Sequence, residues 1–365
     1  MGLIFDFFGP RFFPLHLILV FAFGSLWGSF FGLCIARIPA GLSVVSPGSY
    51  CFACGQAIRW NDNLPLLSYW LLRRRCRSCG TVFSSRHFWI ELLSGLLFAW
   101  AFWARGYTPT ILVSWIFTGF LLVGAFTDID HWIIPDRVSL GGAAMGILLA
   151  AIPFPEAARE AVALGRDVFY SDNIIWEAGP FNPWGHAFWV GPANAAAGAA
   201  FGYGILWIIG KVGSLIFRKE AMGGGDIKLF AGIGAFLGIV NCLYVLFVSS
   251  LLGVAIGLSL ILISRLRQAR KAHSGSDQTP AIDAETLTAR TMACLYPDED
   301  PQDRTAHASE RNVVLNVLSQ PPPRRAFRHH LPFGPYLAAG AYLVMLYHPW
   351  ITEFVKSYIN FFGGV

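Results

Sequence analysis

Eight apolar runs follow one another along the chain, at about residues 15–36, 88–104, 110–127, 138–152, 187–212, 229–240, 243–264 and 335–347, each bounded by polar stretches. Runs of this length and apolarity predict helices that cross a membrane. The pattern therefore predicts an all-α polytopic membrane protein with about eight transmembrane helices. Composition agrees, since 55% of residues are hydrophobic and only 13% are charged, about half the charge expected of a soluble domain.

The polar stretches set the topology and the domain plan. The loop at 37–87 carries Arg73, Arg74, Arg75 and Arg77; Arg218 and Lys219 follow the fifth run; Arg265, Arg267, Arg270 and Lys271 follow the seventh. Lysines and arginines stay on the cytoplasmic side, so these segments are expected inside. Residues 153–186, with Glu156, Glu160, Asp167, Asp172 and Glu177, read as an external loop. Eight spans then leave both termini outside. The plan is a first span at 1–36, a cytoplasmic loop at 37–87, a membrane core at 88–265, a low-complexity cytoplasmic insertion at 266–330, and a last span with external C-terminus at 331–365. The first run lacks a signal-peptide exit and is kept as a span. Its Gly24, Gly28 and Gly32 fall at four-residue spacing, which permits close helix contact. The net charge of +5 is what membrane topology selects for. With no basic stripe interleaved with aromatics, no nucleic-acid partner is expected. His329 and His330 read as a basic juxtamembrane edge.

Four of the seven cysteines form two CxxC pairs, Cys51 with Cys54 and Cys76 with Cys79, each followed by a glycine. Such pairs make tight knuckles whose thiolates point to one side, the glycine taking the turn's unusual backbone angles. Two knuckles complete a closed tetrahedral zinc site, structural because no position is left for water or substrate.

Two acidic stretches lie at membrane boundaries. One is Ala221-Met-Gly-Gly-Gly-Asp-Ile-Lys228, where glycines deliver Asp226 to the mouth of an apolar run. The other, almost a hundred residues upstream, holds Asp128, Asp130 and Asp136 in what reads as a loop. An ionisable group at membrane depth is costly and points to function. Two carboxylates that share a water do not both ionise; the protonated one then serves as general acid, while the other draws a proton from water attacking a carbonyl. Chemistry alone does not choose among Asp128, Asp130 and Asp136. Each also has a structural reading, as a solvated residue or a helix cap. Lys228 reads as a membrane-edge charge. Glu91 reads as a first-turn polar contact.

Six blocks in order complete the picture: Gly28-Ser-Phe30 with Arg37-Ile-Pro39; the CxxC pairs around Ile58 to Leu67; Glu91-Leu-Leu-Ser-Gly95; Asp128-Ile-Asp with Ile134-Pro-Asp136; Gly223-Gly-Gly-Asp-Ile-Lys-Leu229; and Pro332-Phe-Gly-Pro335. The chain resembles the type 4 prepilin peptidases, GxGD-type intramembrane aspartic proteases of pilus and type II secretion systems. The resemblance implies catalysis by Asp128 and Asp226, with Gly223, Gly225, Asp130, Asp136 and Lys228 in support. It implies cleavage of a basic leader from prepilins or pseudopilins on the cytoplasmic face of the bacterial inner membrane. In many members N-methylation by S-adenosylmethionine follows. The stretches at 153–186 and 266–330 are longer than the resemblance leads one to expect, and no S-adenosylmethionine site is visible in the residues. The rival readings are a proton-coupled transporter using the two aspartates as a relay, which predicts repeated halves that the sequence lacks, and a non-catalytic secretion scaffold. Oligomeric state is left open.

Overall fold

The computed structural model describes residues 12–46, 48–51, 54–107, 110–152, 190–220, 222–273 and 332–363. The stretch 153–186 expected to be external, residues 274–330 of the expected insertion, and His329 and His330 lie outside the described residues. The chain divides into two compact units, Met1–Ala255 with Pro332–Val365, and Ile256–Leu331. All packing described below belongs to the first.

Over their described residues, all eight apolar runs lie largely in helices. The helices are α1 (Phe13–Arg37), a short α2 (Leu67–Leu71), α3 (Arg86–Arg105), α4 (Ile111–His131), α5 (Asp136–Leu149), α6 (Val190–Phe217), α7 (Gly224–His273) and α8 (Gly334–Gly363). Within α7 the chain leaves helical geometry at Gly238, with φ at 80°. A Cβ built on Gly234 would lie 3.1 Å from Cys242 Sγ, whereas eight residues of straight helix rise about 12 Å. The chain therefore turns sharply at Gly238, a conformation that glycine adopts without a Cβ penalty, and the sixth and seventh runs are distinct helical segments. α7 continues to His273, so the first residues of the tract expected to be low-complexity are helical.

Among the described residues, five helices are long and apolar enough to cross a membrane: α1, α3, α4, and the Gly191–Phe217 and Gly224–Leu260 stretches of α6 and α7. α5, at 14 residues, spans about 21 Å, short of the ~30 Å hydrocarbon layer. α4 is the central element. Its apolar window is 72% buried, against 17–39% for the other four, and it packs on α1, α3, α5 and α8. Phe117 and Phe120 on α4 stack against Phe236 of α7, with centroids at 4.8 and 6.1 Å. Because no water is present in a bilayer to satisfy stray hydroxyls, Ser114, Thr118 and Thr127 each donate to the carbonyl one turn back.

α1 and α3 meet along the expected small-residue column. A Cβ on Gly28 would come within 2.7 Å of Glu91 Cα, and one on Gly24 within 2.7 Å of Phe98 Cβ. Ser94 Oγ donates to Gly24 O at 2.8 Å across the same seam. Gly28→Leu is expected to force these helices apart and cost about 1–3 kcal/mol, read as a lowered thermal midpoint in detergent. An unchanged midpoint would show that this seam does not hold the two helices.

Candidate active site

The sequence places Asp128 in a loop, but in the structure it is helical. α4 runs on through Asp128 and Asp130 to His131, and ends where Trp132 takes a left-handed conformation, φ 57°, and donates its N–H to Asp128 O at 3.0 Å. Pro135, with its fixed φ, then opens α5, so Asp136 is the first helical residue rather than the cap. Polar residues at the end of an apolar run read as loop; here tertiary partners satisfy them. The buried Asp128 Oδ2 accepts the Gly334 N–H at 3.0 Å. Gly334 begins α8, 206 residues further on. Its free N–H belongs to the orphan donors of a helix N-terminus, where negative charge is welcome. A Cβ there would sit 2.6 Å from Asp128 Oδ2, so any larger residue makes the carboxylate or the helix start shift.

Asp226 is the third residue of α7. Its Oδ1 is shielded from solvent and has no hydrogen-bond partner. The Asp128 charge acts on it, and the Gly334 N–H lies within reach of its carboxylate. Two carboxyl groups from distant parts of the chain thus come near one another, where the α4 end meets the starts of α7 and α8.

The three glycines before Asp226 take ordinary backbone angles. None has a positive φ, so unusual backbone angles are not their contribution. Gly225 permits close approach, since a Cβ there would meet Ile134 Cβ at 3.1 Å and Ile134 N at 3.3 Å. This lets the start of α7 press against the connection between α4 and α5. Gly223 faces only Asp226 Oδ2, at 3.7 Å, and Gly224 faces open space.

The remaining acids have partners of their own. Asp130 forms an ion pair with Arg86 at the start of α3. Asp136 pairs with Lys228 at 2.6 Å, both groups substantially exposed, so Lys228 is more than a membrane-edge charge. An exposed pair contributes about 0–1 kcal/mol. Lys228→Gln is therefore expected to lower stability by less than about 1 kcal/mol, checked by thermal denaturation; a larger loss would mean that the pair is buried in the working protein. Glu91 lies beyond the first turn of α3 and accepts the Leu66 N–H at 2.9 Å. Sequence reasoning missed the Gly334 N–H, although the Pro-Phe-Gly-Pro block at a run's start was its signal.

The four cysteines converge as expected. All four Sγ atoms lie within 4.8 Å of one another, and none is in a disulfide. The Cys51 and Cys79 sulfurs are 3.8 Å apart, the separation of about 3.8 Å that 2.3 Å bonds at tetrahedral angles require. Two matching knuckles build the group. Cys51 N donates to Gln56 O and Gly55 N to Cys51 O; Cys76 N donates to Thr81 O and Gly80 N to Cys76 O, all at 2.8–2.9 Å. Gly55 and Gly80 take φ of 67° and 73°, as the motif predicts. Hydrogen bonds from Thr81, side chain before backbone, pull the Cys79 thiol down to about 6. The donor set fits a four-sulfur metal ion with no open position.

These features define a class: a helical, multi-pass membrane protein with a carboxyl pair at converging helix ends and, in a loop, a tetracysteine cluster able to bind a metal. Residues 22–105 match the Bacterial Peptidase A24 N-terminal domain, and residues 173–258 match the Type IV leader peptidase family. Among curated proteins, the chain is 32% identical to a prepilin leader peptidase/N-methyltransferase of Myxococcus xanthus (strain DK1622), covering 96% of each. It is 31% identical to one of Neisseria gonorrhoeae, over 66% of this chain and 81% of that protein, and 30% identical to one of Bacillus subtilis (strain 168), over 77% and 95%. No solved structure matches. The chain belongs to the prepilin leader peptidase/N-methyltransferase family.

Proposed function

We propose that the protein is an aspartic endopeptidase that removes the leader of type 4 prepilins or type II secretion pseudopilins, with Asp128 and Asp226 as its catalytic pair. The observation that carries this reading is the buried Asp128 held by the Gly334 N–H at the start of α8, with Asp226 near enough to feel its charge and one Asp226 oxygen shielded and unpartnered. Of the acids weighed at the first boundary, Asp130 and Asp136 are held by Arg86 and Lys228, which supports Asp128 as the reactive one. In the proposed reaction one carboxylate takes a proton from water as it attacks the scissile carbonyl. The partner carboxyl protonates the departing amine. The Gly334 N–H holds Asp128 in place. No covalent intermediate and no metal in the reaction path is needed.

The site belongs on the cytoplasmic face of the bacterial inner membrane, because the arginines of the 37–87 loop and Arg218 with Lys219 lie on its side of the sequence-derived topology. Methylation of the new N-terminus with S-adenosylmethionine follows in this reading, on the strength of the relatives' names. The test is incubation of the purified full chain, in lipid nanodiscs, with a prepilin carrying its leader. Mass spectrometry should show leader removal, and addition of one methyl group only when S-adenosylmethionine is present. An intact precursor would overturn the peptidase reading; cleavage without methyl transfer would remove the second activity alone.

Zinc held by Cys51, Cys54, Cys76 and Cys79 is structural in this account. Its chemistry is to tie two knuckles that have too little core to fold alone. Chelation, or Cys51→Ser with Cys76→Ser, is expected to abolish the stoichiometric zinc and expose the loop to proteolysis, while helix content by circular dichroism stays nearly unchanged. A loop that resists proteolysis without metal would contradict this.

A further inference from the structure

The tetracysteine loop contains an element that neither metal binding nor hydrolysis uses. In α2, Leu67, Trp70 and Leu71 fall at i, i+3 and i+4 and form one helical face. They are 60%, 71% and 73% exposed. Directly behind them stand Arg73, Arg74 and Arg75, all exposed. None of these arginines forms an ion pair among the described residues; Arg74 stacks over Tyr69 at 5.5 Å. The only acid between residues 37 and 87 is Asp62, and it is committed to Arg77 at 2.6 Å.

The backbone holds this face in a costly conformation. Five non-glycine residues have positive φ among the described residues, and three of them bracket α2: Leu66 at 61°, Arg73 at 48° and Arg74 at 63°. Such angles cost on the order of 1 kcal/mol or more each and persist only where surroundings enforce them. The surroundings here are the first turns of α3. Leu66 N–H donates to Glu91, Tyr69 stacks on Phe88 at 4.7 Å, and Trp70 meets the same ring edge-on at 6.3 Å.

Those contacts fix the depth of α2. α3 has 20 residues, about 30 Å of helix, which equals the hydrocarbon thickness. Its first turns, Phe88 to Glu91, must then lie at the membrane–water boundary. α2 is pinned beside them, with Trp70 continuous with the exposed Trp89 of α3 through Phe88. Apolar and tryptophan side chains next to arginines, at that depth, match a lipid interface with anionic headgroups.

We propose that α2 and the arginine corner behind it form an interfacial anchor that seats the tetracysteine loop on anionic lipid headgroups beside α3. Leu67, Trp70 and Leu71 enter the headgroup–acyl boundary, and Arg73, Arg74 and Arg75 bind lipid phosphates. The loop is thereby held against the membrane by its own contact as well as by the covalent chain.

The test uses the full chain in nanodiscs of phosphatidylcholine alone or with about one-third phosphatidylglycerol. Hydrogen exchange of the amides at 67–75 is expected to slow on the order of tenfold with the anionic lipid, and high salt should reverse the effect. A photo-crosslinking residue at position 71 should capture lipid. Arg73→Gln/Arg74→Gln/Arg75→Gln should remove the lipid dependence while zinc content stays stoichiometric. The wild-type lipid and salt comparison stands even if that variant misfolds. Equal exchange in both lipids, or capture of a second copy of the chain in place of lipid, would overturn the proposal. Leader cleavage is no part of the readout, so this inference and the proposed function fail independently.

Discussion

Asp226→Asn and Asp128→Asn are each expected to reduce leader-peptide hydrolysis on the order of 10²–10⁴-fold while leaving the fold and the zinc content intact. Asparagine has nearly the volume of aspartate. At position 128 its side-chain oxygen still accepts the Gly334 N–H that holds the native carboxylate at 3.0 Å, so the site keeps its shape. What it lacks is the ability to take up and release a proton. At position 226 the substitution meets a carboxylate with one unpartnered oxygen, so little structural bonding is lost. Single-turnover cleavage with enzyme in excess measures the chemical step directly. Wild-type rates in either variant would exclude the carboxyl pair.

Gly334→Ala is expected to cost nearly as much activity as an aspartate substitution, although it removes no titratable group. The new methyl would stand 2.6 Å from Asp128 Oδ2, closer than a real Cβ contact, and a tight 3.2 Å from its Cγ. Either the start of α8 retreats or the carboxylate rotates, and both break the hydrogen bond. Losing a positioned donor of this kind costs roughly 10²–10³-fold. The overpacking itself destabilises by about 1–3 kcal/mol, so thermal stability should fall less dramatically than rate. Full cleavage by Gly334→Ala would show that the N–H does not position the pair.

What the sequence made legible was local. The CxxC-Gly knuckles close within six residues, through bonds such as Cys51 N to Gln56 O, so spacing alone conveys their geometry. The eight helical runs were legible because apolar length is itself the signal. Asp128 in the last turn of α4 was not legible, because two aspartates in three residues read as loop unless their partners are known. Those partners, Gly334 and Arg86, come from other helices. The same holds for Gly225, whose purpose is room for Ile134 rather than backbone freedom. The turn at Gly238 was half visible, as a break between two apolar runs, but the sequence did not assign it to a glycine inside one of them.

The central claim is that Asp128 and Asp226 act as one catalytic unit, and a double-mutant cycle tests it most directly. Single-turnover leader cleavage is measured for wild type, Asp128→Asn, Asp226→Asn and the double variant. If the carboxyls share one reaction, removing the second after the first costs almost nothing further, and the double variant should be about as slow as either single one. If the two losses instead multiply, so that the double variant is slower by the product of both factors, the carboxyls act independently and the account is contradicted.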